Sequence, residues 1–168
     1  YRLFVGTNAI KRDLAWFKRS ADGFDVTLAD VTENYATLGL MGPDSTRIAE
    51  ALNAEGLAEL GYFKVGAGRV VGIDVTAARL SYVGEAGWEI TCAASDAKAL
   101  YAAFTAEGAV PAGLFAQTSM RIEKGFCAMG HELDGDVNPI AAGLDFATRK
   151  KGGFVGAEAL EALREKGE

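Results

Sequence analysis

The sequence predicts an α+β fold, antiparallel sheets flanked by helices, and three observations carry that expectation. Between residues 62 and 93, short apolar runs alternate with polar residues and are cut by glycines, the pattern of hairpins. On either side, residues 8–18 and 97–107 carry apolar side chains at helical spacing. No regular strand–helix–strand repeat links the two kinds of segment, which disfavours a doubly wound parallel sheet.

Taken in order, residues 2–7 read as a strand, and Asn8 opens a helix to Phe17 or Lys18 with Ile10, Leu14 and Phe17 on its buried face. Ala21-Asp22-Gly23 is a turn, and residues 24–31 alternate as a half-buried strand does. Residues 35–41 form a second apolar run. Gly42-Pro43-Asp44-Ser45 then breaks the chain and starts a helix to about Leu52, with Asp44 or Ser45 supplying the cap. Strands are expected at 63–65, 70–75, 78–82 and 88–92, with Gly66-Ala67-Gly68 as a hairpin turn. Ser95-Asp96 caps the helix over 97–107, whose Leu100, Ala103 and Phe104 face inward. Residues 111–125 suggest another helix, with Leu114, Ser119 or Met120, and Ile122 spaced by about one turn. A polar stretch at 130–139, a short strand at 143–147 and a last helix ending at Lys166 complete the chain.

Of the 168 residues, 49% are apolar, enough to build a buried core. The net charge of −6 argues against nucleic acid as a partner, since phosphate binding needs clustered Lys and Arg, and the Lys150-Lys151 pair is too small a run. No apolar run approaches the roughly 20 residues that span a bilayer, and the first residues do not read as a signal peptide. Cys92 and Cys127 make no disulfide framework; two reduced thiols fit a cytoplasmic setting.

Six features invite a chemical reading. Gly66-Ala67-Gly68 fails as a phosphate loop, because no third glycine follows at the right spacing and a strand, not a helix, comes next. His131 lies beside Glu132 and Asp134, but there is no second His and neither Cys sits at ligand spacing, so no metal site is expected. Glu89 is a carboxylate between Trp88 and Ile90; alternation turns it to the opposite face from both, where it meets water or a partner. Tyr82 reads as a strand aromatic with its hydroxyl at the edge, or as part of a site. Arg121 reads as a surface ion-pair former, with Glu123 in reach, or as an anchor for an anionic or carbonyl group, and Asn8 as a helix N-cap or a ligand contact.

Two segments carry a resemblance: Ser81-Tyr82-Val83-Gly84-Glu85-Ala86-Gly87-Trp88-Glu89-Ile90, and Ser119-Met120-Arg121-Ile122-Glu123-Lys124-Gly125-Phe126. Leu38 to Pro43, Gly130-His131-Glu132-Leu133, Asn138-Pro139-Ile140 with Ala142-Gly143-Leu144, and Phe154 to Leu160 extend it over nearly the whole chain. Together they resemble the folate-binding domain of the aminomethyltransferase (glycine-cleavage T-protein) family, most closely the version at the C-terminus of dimethylglycine and sarcosine dehydrogenases. The resemblance implies tetrahydrofolate as cofactor and transfer of a one-carbon unit from a methylated amine, with water excluded from the electrophilic carbon. It implies that Glu89 accepts hydrogen bonds from the pterin, that Tyr82 lines the site, that Arg121 lies near pterin and substrate, and that Asn8 lies near the reduced ring. FAD is implied only where an upstream oxidoreductase domain exists, as a fused or associated flavin dehydrogenase. The family's catalytic Asp falls before Tyr1, so residues 1–147 read as a fragment of the folate-binding domain and 148–168 as the start of a C-terminal extension. Ala141 replaces the family's usual Glu, and Thr118 a common Asp; Cys127 is one place removed from the Cys of a branch that assists iron–sulfur protein maturation. The alternative from another class is a non-catalytic folate-binding or assembly module.

Overall fold

A computed structural model describes residues 1–148, 150 and 152–167. Lys151 of the lysine pair, Arg149 and the final Glu168 lie outside the described residues. The chain divides into two compact units, one of Tyr1–Ser81 with Ala86–Val110 and one of Tyr82–Glu85 with Pro111–Glu168. Helices and an antiparallel sheet make up the described residues, the α+β class expected.

The first unit holds a four-stranded antiparallel sheet in the order β1-β4-β3-β2. Its strands are β1 (Tyr35–Met41), β2 (Val65–Val70), β3 (Ile73–Ala78) and β4 (Gly87–Ala93). β1 and β4 match the expected runs closely. β2 and β3 do not: the Gly66-Ala67-Gly68 segment lies inside β2, and the hairpin turn is Val71-Gly72, both with positive φ. The strand has glycine there because the space is occupied. A Cβ on Gly68 would lie 2.8 Å from the Leu57 side chain and 2.5 Å from the Glu55 carbonyl oxygen. Residues 79–82, expected in a strand, lie beyond the end of β3.

One face of the sheet meets α2 (Ser45–Ala51) and α3 (Ala97–Ala106). Ile48, Ala49, Leu100 and Phe104 pack with Leu40, Val70, Val75, Ala77, Trp88, Ile90 and Cys92. Trp88 is fully buried, its indole N–H donating to the Leu57 carbonyl at 3.0 Å and the Arg79 guanidinium lying 4.0 Å from its ring centre. The capping expectations fail. Neither α2 nor α3 has a side-chain cap, and Ser45 Oγ donates instead to the Ala86 carbonyl at 3.0 Å.

Helix α1 (Ile10–Ser20) forms where its spacing put it. The strands expected at 2–7 and 24–31 are absent: apart from Thr7, which opens a 3₁₀ turn, both segments run without regular structure, and Phe24 is 72% exposed. Alternation specifies which face a strand would bury, but the ladder needs a neighbour, and these segments pair with none of the four strands.

The second unit contains α4 (Leu114–Glu123), a 3₁₀ turn over Asp145–Thr148 where a short strand was expected, and α5 (Ala157–Lys166). In α4 the expected apolar stripe is not the buried one: Leu114 is 79% and Ile122 55% exposed, while Arg121 is 3% exposed.

Candidate functional site

In the first unit, β4 sends Trp88, Ile90 and Cys92 into the core, and the strand's period of two sends Glu89 and Thr91 to the other face. Directly opposite Glu89 stand Gly39 of β1 and Ala78 of β3. Neither has a side chain long enough to cover a carboxylate. Glu89 is half-buried, and among the described residues its carboxylate has no hydrogen-bond or ion-pair partner. Loss of hydration raises its pKa above the usual carboxylate value. On the same face, the hydroxyls of Thr37 and Thr91 share a hydrogen bond of 2.9 Å. These two threonines, with Leu3, Val5, Leu14 and Leu28 among others, line a cavity of about 600 Å³; Glu89 is not part of its wall.

Asn8 is exposed in the 3₁₀ turn Thr7–Ala9 that precedes α1. It is not the cap: Ala9 holds that position, and no side chain caps the helix.

The second unit brings Tyr82 and Arg121 onto one loop. Arg121, buried in α4, donates from Nη1 to the Phe126 carbonyl at 2.9 Å and to Glu132 Oε2 at 2.6 Å. The sequence offered Glu123 or a neighbouring turn as its partner; the structure supplies Glu132, in a turn that follows α4. The same Glu132 oxygen accepts the Ala128 N–H at 3.1 Å. Tyr82, outside any strand, donates its hydroxyl to the Cys127 carbonyl at 2.7 Å. Its ring lies 6.1 Å from that of Phe126 with 14° between the planes. Three consecutive residues, Phe126, Cys127 and Ala128, are thus each held at the backbone by a different side chain. The Arg121 hydrogen bond, then the Ala128 N–H, hold the Glu132 carboxyl down to a pKa of about 2, and burial first of all raises that of Tyr82.

Gly84 fits the tight turn read from the motif: its φ is +76°, and a Cβ there would run into the Lys124 side chain. Lys124 in turn pairs with Glu85 at 3.4 Å. Phe126 and Glu132 are the residues that sequence reasoning passed over. Glu132 is eleven positions from Arg121, beyond the three- and four-residue spacing at which helical pairs announce themselves. Its one signal was its place in Gly130-His131-Glu132-Leu133, one of the segments that carry the resemblance. His131 is exposed, and among the described residues no group of three His, Cys, Asp or Glu side chains is placed to hold a metal ion. Among the same residues no helix is long and apolar enough to cross a membrane.

Comparison with known proteins bears on both units. The family model described as GCVT N-terminal domain matches residues 1–152. An aminomethyltransferase of Moorella thermoacetica is 38% identical over 99% of the chain, and that of Thermus thermophilus 36% over the same share. The human mitochondrial dimethylglycine dehydrogenase is 33% identical, again over 99% of the chain. The chain spans 47% and 48% of the two aminomethyltransferases and 20% of the dehydrogenase. A match of this extent over the strands, α4 and the loop after it identifies the chain as a member of the GCVT N-terminal domain family, the relationship that its motifs had suggested.

Proposed function

We propose that this chain is the folate-holding part of a protein that moves a one-carbon unit, aminomethyl or methyl, from a methylated amine to tetrahydrofolate. The observation that carries the reading is Glu89, a half-buried carboxylate with small residues on both neighbouring strands and no partner among the described residues. Leaving a carboxylate partly dehydrated costs free energy unless donors are supplied. A pterin edge offers two coplanar N–H donors, the geometry a carboxylate accepts in a bidentate fashion.

In this reading Tyr82 and Arg121, with Phe126, are the folate-contacting residues of the second unit, and Asn8, on its exposed turn, joins Glu89 as one of the first unit's. Residues 1–147 belong to the folate-binding domain and 148–168 open a C-terminal extension. When bound, tetrahydrofolate supplies the nucleophilic nitrogen that accepts the one-carbon unit. The chain's own residues do the rest by placement: Glu89 fixes orientation, the rings pack against a flat ligand, and closing the site keeps water from an electrophilic carbon. The names of the relatives support the reaction class, and the dehydrogenases among them support a finer version. There the methylated amine is dimethylglycine or sarcosine, and a fused or associated flavin dehydrogenase bearing FAD oxidises it. We assign the protein to the cytoplasm, where two unpaired thiols stay reduced.

The test is calorimetric titration of the intact protein with tetrahydrofolate. Glu89→Ala is expected to weaken binding by roughly tenfold or more, the scale of one charge-assisted hydrogen bond. Unchanged affinity would remove Glu89 from the site.

A further inference from the structure

We propose that Glu132 is the positioning residue of the second unit: its carboxylate fixes Arg121 and the Phe126–Ala128 backbone together, so that Arg121, Tyr82 and Phe126 meet a ligand already in one geometry. The inference rests on the folate reading above and adds to it a residue that does not touch the ligand.

The argument is one of connectivity. A single oxygen, Glu132 Oε2, accepts both the Arg121 Nη1 donor at 2.6 Å and the Ala128 N–H at 3.1 Å. Arg121 Nη1 is itself shared with the Phe126 carbonyl at 2.9 Å. Tyr82 closes the remaining link through the Cys127 carbonyl at 2.7 Å. Two further bonds, Phe126 N–H to the Arg121 carbonyl at 2.9 Å and Leu133 N–H to the Ala128 carbonyl at 3.2 Å, tie the loop back to α4 and to Glu132's own neighbour. Removing any outer member loosens one residue. Removing Glu132 takes a partner from the guanidinium and from the loop backbone at once. A buried arginine keeps a fixed direction only while its planar donors are matched, and an aromatic on a loosened loop must be ordered again at binding, which weakens affinity.

This role differs from simple stabilisation in what it changes. A structural ion pair alters melting but leaves the affinity of folded molecules alone. A positioning residue alters affinity in a protein that is still folded, and its effect merges with that of the group it positions. The experiment is a double-mutant cycle on the intact protein, with tetrahydrofolate affinity measured by calorimetry at a temperature where circular dichroism shows every variant folded. Glu132→Gln, Arg121→Lys and the double variant are compared. The expected result is that Glu132→Gln weakens binding by roughly tenfold, the size of one lost charge-assisted bond, and that the double variant is hardly weaker than Arg121→Lys alone. Unchanged affinity in folded Glu132→Gln, or losses that simply add, would overturn the inference while leaving the Glu89 reading intact. Should Glu132→Gln fail to fold, Glu132→Asp keeps the charge and draws it back by one methylene; it is expected to fold and bind more weakly, and unchanged affinity again overturns the role. Absence of tetrahydrofolate binding by the unmutated protein would sink the folate reading, and this inference with it.

Discussion

Two glutamates of this chain sit in opposite electrostatic circumstances, and the contrast sets what acid does to each. Glu132 has its pKa held near 2 by Arg121 and the Ala128 N–H, against an ordinary value of 4.5. A depressed carboxylate contributes stability above its unfolded pKa and loses it as the pH falls toward the folded one. Glu132 is exposed, so solvent screens part of this effect; urea unfolding between pH 5 and pH 2 should show a loss of stability that Glu132→Gln lessens. Glu89 runs the other way. Its pKa is raised by dehydration with no compensating donor, so its charged form weakens the fold as the pH rises through the carboxylate range. Glu89→Gln should melt above the unmutated chain at pH 7 and level with it below pH 4, while losing affinity for tetrahydrofolate. A melting temperature unchanged or lowered at pH 7 would show that the carboxylate has a partner in solution.

At the scale of elements, the sequence was most legible where a segment's own pattern decides its fate. β4 and α3 were readable because Trp88, Ile90 and Cys92, or Leu100, Ala103 and Phe104, repeat with the period of their element and face a core that exists. Residues 2–7 form an apolar run and residues 24–31 alternate, but whether a neighbouring strand is present to pair with them is not a local property. α4 misled for a related reason: Leu114 and Ile122 have the right spacing, yet the buried position went to Arg121, because a carbonyl and a carboxylate further along the chain satisfy it. The glycines of β2 were taken for a turn because Leu57, Leu60 and Glu55, which fill the space beside them, are close only in the fold. Their difference is testable. Gly66→Ala meets the end of the flexible Leu60 side chain, whereas Gly68→Ala also meets the Glu55 backbone. Gly68→Ala should cost about 1–3 kcal/mol of stability in urea melts, the usual scale of overpacking, and Gly66→Ala clearly less.

For the molecule as a whole, the sequence named residues of the candidate site but not the contacts between them. The resemblance of its motifs singled out Asn8, Tyr82, Glu89 and Arg121, and the structure joins Tyr82 and Arg121 through one loop but adds Glu132, which no spacing rule could reach. The surface shows a second whole-molecule property. Leu3, Phe4, Phe24 and Val26 are each well exposed in the first unit. Exposed apolar side chains of this kind bind hydrophobic dyes. The isolated chain should enhance 8-anilinonaphthalene-1-sulfonate fluorescence, and Phe24→Ser with Val26→Ser should reduce the signal with little change in melting. An equal signal from the double variant would move the dye's site elsewhere. The chain-wide charge of −6 makes a further statement of the same scale: at 0.15 M salt it should pass a heparin column unretained.

The second unit takes its first four residues, Tyr82–Glu85, from one side of the Ala86–Val110 segment and all the rest from the other. Expression of a piece beginning at Pro111 therefore leaves behind the phenol that anchors Cys127. On the ribosome the same arrangement imposes an order, since the tyrosine emerges early and must wait for its carbonyl until β4, α3 and α4 have been made. Anyone dividing this gene to isolate the arginine loop must carry residues 82–85 along, by circular permutation or by adding them in trans.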